Sequence, residues 1–230
     1  LNFVDDDRWR YVTDGIKTTL IITLCSVVIG IVLGMIVASV RSTYDKNKEA
    51  FLKRGGFGVA LLRFFNGLCK LYLTVIRGTP MLLQLMIIYY VIFKSVDISP
   101  VLVGIIAFGL NSSAYVSEII KSGINSIDTL QYESALSLGF NYSKTMIYVI
   151  LPQAIKNILP ALGNELVTLI KETSVAGYIG IVDLTKASDI IASNTYNYFF
   201  PLIITAIIYF ILTTTLTKLL NKISDGEKYA

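Results

Sequence analysis

Histidine is absent from the 230 residues. That excludes Ser-His-Asp and Cys-His catalysis and every His-ligated metal site. Cysteine occurs twice, as Cys25 and Cys69, both in apolar surroundings, so no disulfide framework is expected. Charge is scarce as well. Charged residues make up 16% of the chain, where a soluble domain carries about a quarter. The net charge of +4 is too small for a nucleic-acid surface. What is abundant is apolar: 54% of residues are hydrophobic and the mean hydropathy is +0.65. The length permits one or two domains. The composition points to a membrane protein, read as one all-α transmembrane domain over 1–230.

A transmembrane helix needs roughly 20 mostly apolar residues. Three uncharged runs meet that test: Thr18 to Val40, Ile98 to Ser117 and Ile190 to Thr217. The last begins with polar residues, so its span is expected from near Tyr198. Two further apolar stretches carry charges. Val59 to Phe93 contains Arg63, Lys70 and Arg77, and Pro152 to Val182 contains Lys156, Glu165, Lys171 and Glu172. Next to three firm spans these read as membrane segments too. The reading is five spans, at about 14–40, 59–93, 98–121, 152–182 and 197–219. A cleavable signal peptide is not expected, because the first apolar run is too long and no small-residue cleavage site follows it.

Loop charge sets the expected orientation. The linker Arg41 to Gly56 holds Arg41, Lys46, Lys48, Lys53 and Arg54, and the tail carries Lys218, Lys222 and Lys228. The short loop Lys94 to Ser99 holds only Lys94. An odd number of spans then puts the N-terminus outside and the C-terminus in the cytoplasm. Asp5, Asp6 and Asp7 agree with this, while Arg8 and Arg10 count mildly against it. Along the first span Ser26, Gly30, Gly34 and Ala38 form a small-residue stripe that lets another helix approach closely.

Glu118 to Leu151 is too polar for a lipid-facing helix and is expected in the cytoplasm, with its distinctive part at about 123–150. Asp128 is placed to cap a short helix through Leu138, Gly139 to end it in the left-handed conformation, and Asn141 or Ser143 to cap the next. A short exposed helix ending in a glycine turn is either a knob that docks in a partner's groove or an unpartnered amphipathic surface helix.

The stretch ESALSLGFNYSKTMIYVILPQA resembles the signature of ABC-importer permeases: a Glu-Ala-Ala run, a glycine six residues after the Glu, and a Leu-Pro downstream. Glu133, Ser134, Ala135 and Gly139 hold those positions, with Ser134 replacing the first alanine. Tyr72 to Leu85 (YLTVIRGTPMLLQL), Asn111 to Ile119 (NSSAYVSEI) and Pro152 to Ser174 are similar to segments of the permeases for polar amino acids such as histidine, glutamine and arginine. The resemblance covers about Thr13 to Leu219. Its departure, the basic insertion Lys46 to Phe57, carries no functional reading.

The resemblance implies the five-helix type I importer (MetI-like) fold in a multi-pass cell-membrane protein. It also implies the partners: a separate ATP-binding cassette ATPase subunit, an extracytoplasmic amino-acid-binding protein and a second permease chain, all assembled in membrane lipid. No cofactor is expected on this chain, which has no Gly-x-x-x-x-Gly-Lys-Ser/Thr phosphate loop. ATP and Mg would be held by the partner, docked on the knob, and the chain itself would be no enzyme.

Ionisable groups inside a span cost ~3 kcal/mol on insertion scales and usually face protein or water. Glu165 lies mid-way along the fourth span. Asn111, Tyr115 and Glu118 share a face of the third, with Ser112 at its edge. A polar face opposite a carboxylate suits a path for a zwitterion. Arg77 is a candidate partner for the substrate carboxylate, or a structural clamp on neighbouring carbonyls. Glu165 would read a cationic side chain, bind the α-ammonium, or pair with Lys156 or Lys171. Lys171 and Glu172 read best as pairing with other groups or lying at the interface. The rival class, an ion-coupled secondary transporter or channel, would show inverted repeats with broken helices, and no second copy of either motif is present.

Overall fold

The structure is a computed structural model and describes residues 7–53 and 56–228, with side chains for 7–45 and 56–222. Helix α1 (Trp9–Lys53) is followed by α2 (Phe57–Gly78), α3 (Met81–Ile87, continued by a π-helical turn to Ile92) and α4 (Pro100–Asn125). Then come α5 (Thr129–Ser137), α6 (Tyr142–Thr145), α7 (Leu151–Glu172), α8 (Leu184–Thr195) and α9 (Phe199–Lys228). A π-helical turn, Met146–Ile150, joins α6 to α7, and a 3-10 segment, Thr173–Ile179, follows α7. Among the described residues five helical stretches are long and apolar enough to cross a membrane: Trp9–Asp45, Phe57–Gly78, Pro100–Asn125, Tyr142–Ile179 and Phe199–Lys222.

α4 is the centre of the bundle, and 12 of its 26 residues are buried, nearly all of them between Val103 and Ser117. It starts where Ser99 Oγ accepts from Leu102 N at 3.2 Å with Pro100 in the first turn, a pre-organised start. The small-residue stripe of α1 packs along it. A Cβ added at Gly30 would lie 2.8 Å from Ser112 Oγ, and one at Gly34 would lie 2.7 Å from Val116 Cγ1. Ser26 Oγ donates to Ile105 O at 3.0 Å. The two backbones approach too closely for any larger residue, as small-residue stripes permit. Ile22, Leu85, Val103, Phe108, Leu169 and Ile179 form the fully buried core where α1, α3, α4, α7 and the 3-10 segment meet.

Several boundaries differ from the sequence reading. α1 runs on through 41–53, expected as a loop, because no Gly or Pro interrupts the chain before Gly55 and Lys, Glu, Ala and Leu favour helix. Arg54, Asp5, Asp6 and the side chains of Lys46, Lys48, Lys53 and Lys228 lie outside the described residues. The stretch 59–93 is not one helix but breaks at Thr79–Pro80, since Pro80 has no N–H to donate and holds Thr79 extended (φ −126°, ψ 149°). The fourth crossing begins earlier than 152. Pro152 sits in the first turn of α7 directly behind the π-helical turn, which Leu151 N closes by donating to Met146 O, so the helix runs on through the proline. α8 was not anticipated. Asp183 caps it by accepting from Thr185 N at 2.9 Å and Lys186 N at 3.2 Å, and Thr19 Oγ1 on α1 accepts from Leu184 N at 3.2 Å.

Candidate functional site

A cavity of about 720 Å³ opens between the far end of α2, the second half of α4 and the middle of α7. Arg77, Tyr115, Glu118, Ser122, Asn157 and Glu165 are among the residues that line it. The Arg77 guanidinium lies 5.8 Å from the centroid of the Tyr115 ring and 3.7 Å from Glu118 Oε1. Their side chains are 45% and 39% exposed, so this pair is loose and water-screened, worth little as a structural tie. A guanidinium in that state is free to exchange its partner for an incoming carboxylate. Across the cavity Glu165 Oε1 accepts from Ser112 Oγ at 2.8 Å. Ser112, rather than Lys156 or Lys171, is the group that holds this carboxylate.

Two residues of the expected face do not line the cavity. Asn111 is 3% exposed and donates through Nδ2 to Gln84 Oε1 at 3.0 Å. Ser112 is fully buried, facing Gly30 of α1 on one side and Glu165 on the other. α4 is covered along its first two-thirds by α1 and α3, so its polar face reaches water only from Tyr115 onward. Asn111 and Ser112 stand behind the site, and Tyr115 and Glu118 stand in its wall.

Gln84 was missed from the sequence, although a lone amide four residues after Pro80 in an otherwise apolar run was the available signal. The break after Gly78 leaves the last carbonyls of α2 without helical donors. Gln84 Nε2 reaches Ile76 O at 2.7 Å, Thr79 O at 2.9 Å and Thr79 Oγ1 at 2.8 Å. The clamp on these carbonyls is therefore Gln84, which leaves Arg77 to the cavity.

The 126–145 segment follows its local signals closely. Asp128 Oδ1 accepts from Leu130 N at 2.9 Å, and Asn141 Oδ1 accepts from Lys144 N at 2.9 Å. At the end of α5 Phe140 N donates to Ala135 O at 3.1 Å and Gly139 N to Leu136 O at 2.9 Å, with Gly139 at φ +86°. This is the double closure that a left-handed glycine makes. Ala135 is buried beneath the helix, while Glu133, Ser134 and Gly139 are exposed. In the same segment Leu130, Leu136, Leu138 and Tyr148 are 63%, 46%, 80% and 69% exposed. Behind α5 burial beside Tyr142 pushes the Tyr132 hydroxyl well above its usual range, so it stays neutral.

Comparison with known proteins gives a consistent result. Residues 55–227 match the family of binding-protein-dependent transport system inner membrane components. The chain is 40% identical over 204 residues to a putative glutamine transport system permease protein of Rickettsia typhi, covering 88% of this chain and 86% of that one. It is 38% identical over 209 residues to the arginine transport system permease protein of Bacillus subtilis, covering 90% and 88%. Among solved structures it is similar to a chain of an amino acid ABC transporter with histidines, at TM-score 0.82 and 39% identity over 94% of both chains. A chain of the inward-facing MetNI methionine ABC transporter matches at TM-score 0.74 and 18% identity, over 97% of this chain and 99% of that one; this likeness concerns the fold alone.

Proposed function

Because the chain belongs to the binding-protein-dependent transport system inner membrane components, the multi-pass permeases of ATP-binding cassette importers, we propose that it forms the membrane path for a polar amino acid. That membership sets aside the ion-coupled carrier or channel. ATP hydrolysis belongs to a separate ATPase subunit. An extracytoplasmic binding protein delivers the substrate, and a second permease chain completes the path. The names of the relatives, which include glutamine and arginine permeases, support the substrate class.

The observation that carries the reading is the pairing of unlike charges across one cavity. Arg77, loosely held, supplies a cation for the α-carboxylate, and Glu165 supplies an anion for an ammonium or guanidinium. Asn111 and Ser112 position those walls from behind. The exposed α5 knob with Glu133, Ser134, Ala135 and Gly139 is the docking point for the ATPase. It is continuous with α7 through α6 and lies three residues beyond the end of α4, so a push on it moves both walls of the cavity.

Uptake by the assembled, reconstituted transporter tests the cavity. Glu165→Gln removes charge while keeping size. Loss of uptake for arginine and lysine with neutral amino acids retained assigns Glu165 to the substrate side chain; loss for all of them assigns it to the α-ammonium. Normal uptake of every substrate by the Gln variant would reduce Glu165 to a structural residue and sink the proposal.

A further inference from the structure

A second cavity, of about 410 Å³, lies against α2 and is lined by Arg41, Lys70, Thr74, Arg77 and Glu118, with Leu73 and Gly78 completing the wall. Arg77 and Glu118 pair with each other and line the larger cavity too, so Arg41 and Lys70 are the cations left without a carboxylate. The Arg41 guanidinium donates from one terminal nitrogen to Asn66 Oδ1 at 3.2 Å, while its Nε is buried with no acceptor. Lys70 is exposed and forms no ion pair among the described residues. The nearby Asp45 is taken by Lys121 at 2.5 Å. Such a cluster is short of negative charge and of an acceptor for a buried N–H.

Its level in the membrane follows from the chain. Arg41 is the first charged residue after the uncharged run Thr18 to Val40, and Glu118 is the first after Ile98 to Ser117. Two crossings thus end at the same cavity. At ~1.5 Å per residue Glu118 lies roughly 27 Å along α4 from Pro100, near the far edge of a ~30 Å hydrocarbon core. That edge is where lipid phosphates sit. Basic pockets between transmembrane helices at this depth hold acidic headgroups.

We propose that the cavity between Arg41 and Lys70 binds the phosphate of an anionic phospholipid. The phosphodiester oxygens accept from the Arg41 guanidinium and the Lys70 ammonium, and the acyl chains lie along the exposed apolar flank of α2 (Leu71, Val75). The shared chemistry is a phosphate oxyanion, and the source assigned is lipid rather than a soluble ion.

The test is lipid retention by the purified, assembled transporter, read by native mass spectrometry and by thermal unfolding in mixed micelles. Phosphatidylglycerol, phosphatidylcholine and inorganic phosphate are the three probes. Phosphatidylglycerol should be retained and should raise the unfolding temperature, with neither effect from the other two. Lys70→Gln should weaken this binding about fivefold, the share of one basic residue near the surface. Lys70→Arg should restore it, and Lys94→Gln, at the other end of the bundle, should leave it unchanged. Equal retention of the two lipids, or a Lys70→Gln variant that binds phosphatidylglycerol normally, overturns the proposal. Stabilisation by inorganic phosphate without lipid preference overturns the lipid assignment.

Discussion

Gln84 ties three things that a broken membrane helix would otherwise leave loose. Its amide nitrogen satisfies the end of α2, and its oxygen accepts from Asn111 on α4. The break in the second crossing is thereby fastened to the central helix directly behind the cavity. Gln84→Leu would leave the buried Asn111 amide without its acceptor, at about 1–3 kcal/mol, and would also release the Ile76 and Thr79 carbonyls at the break. The expected outcome is a lower unfolding temperature for the detergent-solubilised transporter. A double-mutant cycle with Asn111→Leu separates the bond from the side chains: the pair should lose clearly less than the sum of the singles. Strict additivity would mean that the 3.0 Å contact carries no energy.

The knob is a local object at the scale of elements, because every bond that closes α5 spans six residues or fewer. Gly139 has open space around it, and nothing lies within 4 Å of where a Cβ would be. Its replacement is therefore opposed by backbone conformation alone, ~1 kcal/mol or more at φ +86°. That cost is too small to unfold a bundle held by α1 and α4, yet enough to shift the tip of the knob. Gly139→Asp, and Glu133→Lys on the exposed side, are expected to leave the chain inserted while abolishing substrate-stimulated ATP hydrolysis. Normal transport by either variant, with its ATPase bound, would show that docking lies elsewhere.

Orientation belongs to the whole molecule, since it depends on all loops together rather than on any one helix. The basic linker and tail predict an outside N-terminus, with the linker and C-terminus inside. In a background with Cys25 and Cys69 replaced by Ser, an impermeant thiol reagent applied to intact cells should label Asp97→Cys and spare Lys48→Cys. The reverse pattern would invert the topology. It would also move the 410 Å³ cavity to the outer leaflet.

Hydropathy runs, cap residues and the glycine turn were legible in the sequence because each depends on neighbours within a few positions. Twenty apolar residues suffice for a span, and Asp128, Gly139 and Asn141 act on the next turn. The same local logic stopped at Val40 and Pro152, where hydropathy changes but the helix runs on, since hydropathy and helix propensity are separate quantities. Which polar side chains face the cavity was decided only by tertiary packing. Asn111 and Tyr115 share a helix face, yet α3 covers one and leaves the other in the wall. Glu165 meets Ser112 from 53 positions away, and Arg41 meets Asn66 from 25. Periodicity tells a residue which side of its own helix it occupies, and the close approach of other helices decides what that side will touch.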